Sequence, residues 1–273
     1  MPDPARWISV GELAHAFASD NNAPPPTDEL AGRSLTLDLE RGEAVEYRFA
    51  TSTELARRPL SGSREAETPD RSYTAAKVRD AIYFVDVLPS PGETTAESLV
   101  LDLGLGIATV LVASLPDEAG ARRPLLDRIA RGEELTAVTA TFVSAAVDAG
   151  FTSSTERHPP TTELVGRRVE YTYSPSEQYE HIYLNDRFYT WHCLRGSEKG
   201  LADTDRCHYY RLADDLFLFV WREKIVPTLG AVVVDFRAMQ TVGKIFGYEG
   251  GDFARVANFR VGARVRLLNR TAY

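Results

Sequence analysis

Gly166-Arg167-Arg168-Val169-Glu170-Tyr171-Thr172-Tyr173, Tyr179-Glu180-His181-Ile182-Tyr183 and Phe217-Leu218-Phe219-Val220-Trp221-Arg222-Glu223 all lie within one stretch, Leu164 to Tyr248. In a β-strand successive side chains point to opposite faces. Val169, Tyr171 and Tyr173 therefore share a face of the first run, and Tyr179, His181 and Tyr183 share a face of the second. Phe217, Phe219, Trp221 and Glu223 share a face of the third. Such a face of Tyr, His and Trp with one carboxylate makes a poor core and a good pocket wall, because buried polar groups are costly without partners.

Working outward, strands are expected at 167–173, 179–184, 187–195, 207–212, 215–224, 230–236, 240–247 and 261–268. Upstream the pattern repeats. Leu30-Ala31-Gly32-Arg33 matches Leu164-Val165-Gly166-Arg167, 134 positions on, and Ser98–Leu103 matches Ala231–Phe236 at an offset of 133. Two anchor pairs so close in offset indicate a tandem duplication, not a solenoid. Short alternating runs at Ser34–Leu39, Ala44–Ala50, Ser72–Val78, Ala81–Leu88, Ser98–Leu103 and Ile107–Leu115 give the first copy its strands. Closely spaced strands without intervening helices point to antiparallel barrels, which leave no open edge. An eight-strand barrel is about wide enough for one small ligand.

Ser9 with Glu12 three residues on forms a capping box, and Val10, Leu13, Ala14 and Phe17 recur at helical spacing. A short N-terminal helix is expected there, as a lid or plug over a barrel end, stopped by Pro24-Pro25-Pro26. The polar stretch Arg57–Arg71 is expected to be a loop. So is Asp203-Thr204-Asp205-Arg206, whose carboxylates would bond nearby backbone. Pro116–Gly132 is compatible with helix, and Thr136–Ala149 fits helix or strand. The implied division is 1–29 (helix and Pro-rich segment), 30–150 (first barrel), 151–163 (linker) and 164–273 (second barrel, with the candidate site).

The chain has 273 residues, 44% hydrophobic and 26% charged, with a formal net charge of −8. That charge argues against non-specific nucleic-acid binding, which needs a basic surface. No run approaches the length of a membrane helix, and Met1–Val10 lacks the pattern of a secretory leader. The two cysteines, Cys193 and Cys207, form no CxxC motif. A reduced, cytoplasmic setting is therefore expected, with no membrane partner. Glu180, His181, His192, Asp203, Asp205 and His208 show no metal-ligand spacing, so no metal or other cofactor is expected. The oligomeric state is left open.

Tyr179–Asn185, Tyr189-Thr190-Trp191-His192-Cys193-Leu194, Gly200–Asp205 and Gly247-Tyr248-Glu249-Gly250-Gly251-Asp252-Phe253 resemble the MoaF family (molybdenum cofactor biosynthesis protein F) over nearly the whole chain, most strongly from Leu164 onward. The family name implies a molybdenum-cofactor connection but supplies no mechanism. The second half is also distantly similar to phenolic acid decarboxylases, which are small lipocalin-like barrels. The similarity rests on Gly166 to Tyr173, Tyr179-Glu180, Trp221-Arg222-Glu223 and Asp235-Phe236. It implies two lipocalin-like (calycin) barrels, Tyr171 and Tyr173 as substrate-binding residues, and Glu223 as the proton donor. The catalytic Arg of those enzymes is missing. Trp191-His192-Cys193 stands in its place, which puts decarboxylation of a phenolic acid in doubt. The first half lacks both Tyr-x-Tyr and Trp-x-Glu and reads as a degenerate copy.

The expected activity is acid/base chemistry of lyase, isomerase or cyclase type, without a redox cofactor, on an aromatic or polyunsaturated small molecule. Glu223, His192 and His181 would be catalytic, since a desolvated carboxyl and imidazoles titrate near neutrality. Tyr171, Tyr173, Tyr179, Tyr183, Trp191 and Trp221 would bind the substrate. The alternative is a non-catalytic ligand-binding or accessory protein linked to molybdenum-cofactor biosynthesis, for instance a carrier of a pterin intermediate.

Overall fold

A computed structural model describes residues 6–18, 21–61 and 68–272. It contains two closed eight-strand antiparallel barrels. The first runs in chain order through β1 (Ser34–Leu39), β2 (Ala44–Phe49), β3 (Glu54–Ser61), β4 (Thr68–Arg79), β5 (Ile82–Val87), β6 (Thr95–Asp102), β7 (Ile107–Ser114) and β8 (Thr139–Val147). The second comprises β9 (Arg167–Thr172), β10 (Gln178–Tyr183), β11 (Phe188–Arg195), β12 (Ala202–Ala213), β13 (Leu216–Glu223), β14 (Thr228–Asp235), β15 (Gln240–Tyr248) and β16 (Val256–Arg270). It closes where β16 pairs back onto β9.

The repeat visible in the sequence reappears as identical turns. Gly32 and Gly166 both adopt positive φ, 78° and 82°, a conformation that costs glycine little. Their N–H groups bond Phe49 O (2.7 Å) and Tyr183 O (2.8 Å), each at the end of its barrel's second strand. Leu30 and Leu164, two residues before these turns, are both fully buried. Asp102 Oδ1 accepts from the N–H groups of Gly104 and Leu105, and Asp235 Oδ1 accepts from those of Arg237 and Ala238. Ala81 and Asp215 carry positive φ in matching hairpins, and their carbonyls accept from Leu103 N (2.8 Å) and Phe236 N (2.9 Å).

Two expectations are corrected. Most of the polar stretch Arg57–Arg71 is strand, in β3 and β4; residues 62–67 of it lie outside the described residues. Its described arginines are matched by carboxylates, Arg58 with Glu46, Arg57 with Glu97 and Arg71 with Glu93, so ion pairs stand where an apolar alternation would normally mark a strand. Asp203–Arg206 belongs to β12 and is not a loop. Thr136–Ala149 resolves as strand β8 over Thr139–Val147, because its small β-branched residues suit a ladder.

The first barrel's interior is mainly aliphatic, with Leu35, Leu37, Val45, Leu55, Val85 and Leu101 all buried. Its compact unit spans 24–113 and 140–158. Among the described residues, the second barrel's unit takes in segments distant in sequence, 6–18, 21–23 and 114–139, as well as 159–272. The 114–139 segment carries α2 (Glu118–Ala121) and α3 (Leu125–Ala130). It is held by Tyr248 Oη to Pro116 O (2.6 Å), by Arg222 to Val138 O (2.9 Å), and by Arg206 and Arg222 to Glu134 (2.7 and 2.8 Å).

Helix α1 (Val10–Ala18) is capped as its sequence dictates: Glu12 N–H donates to Ser9 Oγ (3.2 Å), and Ser9 N–H donates to Glu12 Oε2 (2.9 Å). A helix this short is not stable alone in water, so its packing decides its place. It lies against β15 and β16. Phe17 is 2% exposed, with its ring 4.8 Å from Tyr173 and 6.0 Å from Tyr179 between centroids. No helix of the described residues is long and apolar enough to cross a membrane.

All three tryptophans, Trp7, Trp191 and Trp221, belong to the second unit, so their fluorescence reports on it alone. Phe17→Ala should lower its stability in urea by about 3 kcal/mol, the usual cost of truncating a buried Phe. It should also raise acrylamide quenching of Trp fluorescence. Quenching and midpoint both unchanged would show that α1 does not seal this barrel.

Candidate functional site

The closed ladder makes inside and outside a matter of parity. Tyr171 of β9, Tyr179, His181 and Tyr183 of β10, Tyr189, Trp191 and Cys193 of β11, and Phe217, Phe219 and Trp221 of β13 all point inward. At one end they leave a cavity lined by Tyr173, Tyr179, His181, Tyr189, Trp191, Glu198, Trp221 and Glu223, with Ile8, Val10, Leu13 and Phe17 from the α1 side. Its water-accessible volume is about 40 Å³, room for a few waters at roughly 10–15 Å³ each.

The indoles are fixed by carboxyl groups. Trp221 Nε1 donates to Glu223 Oε1 (2.9 Å), two residues along the same strand face, and Trp191 Nε1 donates to Asp205 Oδ2 (3.1 Å). Trp221 lies across Gly230 of β14, where a Cβ would fall 2.0 Å from the indole. Tyr179 Oη donates to Glu198 Oε2 (3.1 Å). Trp7 packs edge-on against Trp191, with centroids 5.6 Å apart.

His181 sits in the wall, its ring centroid 4.5 Å from Tyr171, 5.2 Å from Tyr189 and 6.0 Å from Trp221. It is 4% exposed, and its Nδ1 has no hydrogen-bond partner among the described residues. Burial in this aromatic cage pushes its pKa down to about 3, so the imidazole is neutral. Burial, with the nearby carboxylates of Asp205 and Glu198, raises the Glu223 carboxyl well above the usual range. Glu198 is raised by burial as well. Asp205 is pushed up to about 6, again mainly by burial, although Lys224 opposes the shift.

Of the sequence-derived candidates, Tyr173, Tyr179, His181, Trp191, Trp221 and Glu223 line the cavity. Tyr171 and Tyr183 lie deeper and are occupied with each other, Oη to Oη 2.5 Å, so neither lines it. His192 lies elsewhere: Trp191 and Cys193 point inward, so the residue between them must face out. Its side chain is 41% exposed, with Nδ1 3.7 Å from Glu180 on the barrel's outer surface. Glu198, Tyr189 and Asp205 were not singled out as site residues from sequence. Tyr189 shares parity with Trp191 and was legible. Glu198 lies in the turn between β11 and β12, where no periodicity applies, and Asp205 was assigned to a loop.

The raised carboxyl has a consequence for stability. A group whose pKa is higher folded than unfolded costs stability as pH rises above its unfolded value. Glu223→Gln should therefore raise the thermal midpoint by a few degrees at pH 8 and have little effect at pH 4, where the native carboxyl is already neutral. A loss of stability at pH 8 would show that the charged form is the native one.

Comparison with known proteins places the chain. Residues 5–117 match the model of the MoaF N-terminal domain, and residues 158–271 match that of the MoaF C-terminal domain. A curated relative, Protein MoaF of Klebsiella aerogenes, is 42% identical over 282 aligned residues, covering 100% of this chain and 99% of the relative. A solved structure from Burkholderia vietnamiensis, described as a proposed beta-lactamase, aligns over 41% of this chain and all of its own, at 18% identity and a TM-score of 0.34. That likeness is too slight to bear on fold or activity. With both halves matched in order and a full-length relative at this identity, the chain belongs to the MoaF family.

Proposed function

We propose that this protein is a cytoplasmic small-molecule enzyme using proton-transfer chemistry, of lyase, isomerase or cyclase type, in the cavity of the second barrel. The observation that carries this reading is the facing of Glu223 and His181 onto one aromatic cavity. Burial and two neighbouring carboxylates disfavour the charge of the Glu223 carboxyl and hold it toward its protonated form. The imidazole is neutral, and its Nδ1 is uncommitted. A proton donor and an acceptor thus face one cavity, which acid/base catalysis requires.

In this reading Glu223 delivers the proton, with its orientation set by the Trp221 indole. His181 accepts a proton or hydrogen bond from the substrate. Tyr173, whose ionisation burial suppresses, remains a hydroxyl donor able to polarise a substrate oxygen. The Tyr171–Tyr173 pair does not act as a unit, because the Tyr171 hydroxyl is held by Tyr183.

A second reading, a ligand-binding accessory protein such as a carrier of a molybdenum-cofactor intermediate, is favoured by the aromatic lining of the cavity. Incubation with fractionated host extract, followed by mass spectrometry, distinguishes the two. The enzymatic reading expects a chemically altered compound whose turnover falls by about 10²–10⁴-fold in Glu223→Gln and is unchanged in His192→Ala. A compound that is retained but unaltered by the wild type favours the carrier. Full turnover in Glu223→Gln would remove Glu223 from the chemistry.

A further inference from the structure

Several carboxylates of the second barrel are matched by cations: Glu170 by Arg266, Glu180 by Arg168, Asp203 and Asp205 by Lys224, and Glu134 by Arg206 and Arg222. The cavity wall contains two carboxyl groups, Glu198 and Glu223, and no Lys or Arg. Among the described residues neither carboxyl forms an ion pair. Glu223 accepts from the Trp221 indole, and Glu198 accepts from the Tyr179 hydroxyl and the Ile8 backbone.

Two further features point the same way. The remaining walls are largely aromatic, from Tyr173, Tyr179, Tyr189, Trp191, Trp221 and Phe17. Ring faces carry negative electrostatic potential and attract a desolvated cation, Trp most strongly. Independently, the buried and uncommitted Nδ1 of His181 marks the cavity as a place where a polar ligand completes the hydrogen bonding, because buried polar atoms are otherwise satisfied. A carboxylate or phosphate ligand would enter against two carboxyl groups with no guanidinium or ammonium to receive it. An ammonium group would supply the missing counter-charge.

We propose that the cavity binds a compact organic cation, a small protonated aliphatic amine, with Glu198 and Glu223 sharing the ammonium and the indoles of Trp191 and Trp221 flanking it. This rests on reading the cavity as the ligand site and adds the charge class of the ligand. Binding draws one of the two carboxyls into its ionised form and releases a proton, while the other stays protonated. Affinity therefore rises with pH. The groups around Glu223 that take part in this balance are Asp205, Glu198, Asp203, Tyr173, Tyr189 and His181, with Lys224 beyond the aspartates. Around Glu198 they are Tyr179 and Glu177.

The test uses the full chain and matched probes: ethylamine and isopropylamine, the corresponding alcohols, and the corresponding carboxylates. Binding is followed by Trp fluorescence and calorimetry at pH 6 and pH 8. The amines should bind at least tenfold more tightly than the alcohols, and more tightly at pH 8 than at pH 6, while the carboxylates should be weakest. Glu198→Gln and Glu223→Gln, each checked for folding by circular dichroism, should each cost the amine tenfold or more and leave alcohol binding within about twofold. Alcohols or carboxylates binding as well as the amines would overturn the cation assignment while leaving the cavity a ligand site. No saturable response to any probe, in wild type or variants, would overturn both.

Discussion

Closure of an eight-strand ladder is the constraint on which the rest of each barrel depends. Once β16 pairs with β9, no strand edge remains unpaired, and every side chain is committed to the inside or the outside by its parity. An eight-strand interior is about filled by its own side chains. Whether it becomes a core or a pocket then turns on a few residues. In the second barrel, parity drives Glu223 inward beside Phe217, Phe219 and Trp221, and the cavity forms where that carboxyl prevents apolar filling.

The two barrels share their turns and differ in how they treat buried charge. In the first, Glu97 lies 3.7 Å from Arg57 and accepts a hydrogen bond from the buried Tyr47 hydroxyl (2.8 Å). The polar cluster satisfies itself, as a structural one does. In the second, Glu198 and Glu223 have neutral donors only, and burial holds both toward the protonated state. A desolvated carboxylate is costly without a counter-charge, and the same architecture holds a matched polar cluster in one half and cation-free carboxyls on a cavity wall in the other.

One wall of that site lies outside the ladder. Ile8 and helix α1 close the cavity through apolar contact and a capping box worth about 1 kcal/mol, not through strand pairing. The barrel wall is rigid by comparison, held by continuous interstrand hydrogen bonds from β9 round to β16. The least constrained boundary of the cavity is thus the stretch at the start of the chain, with Phe17 as its anchor.

Local alternation in the sequence was enough to determine two all-β halves and the inward set of Tyr, His, Trp and Glu223, because strand parity is a property of the backbone alone; matched segments marked the repeat, and a capping box with helical spacing marked the N-terminal helix. The polar strands β3 and β4 escaped that reading because Arg57, Arg58 and Arg71 are matched by carboxylates distant in the chain that no local pattern shows. His192 was placed by likeness to another family, against its own parity. Only the tertiary structure decided that α1 and the 114–139 segment pack with the second barrel, that Tyr171 is consumed by Tyr183, and that Glu198 joins Glu223 at the cavity. Each of these is a contact between residues far apart in the chain or in a turn without period, and such contacts are set by which surfaces remain to be buried after the ladders close.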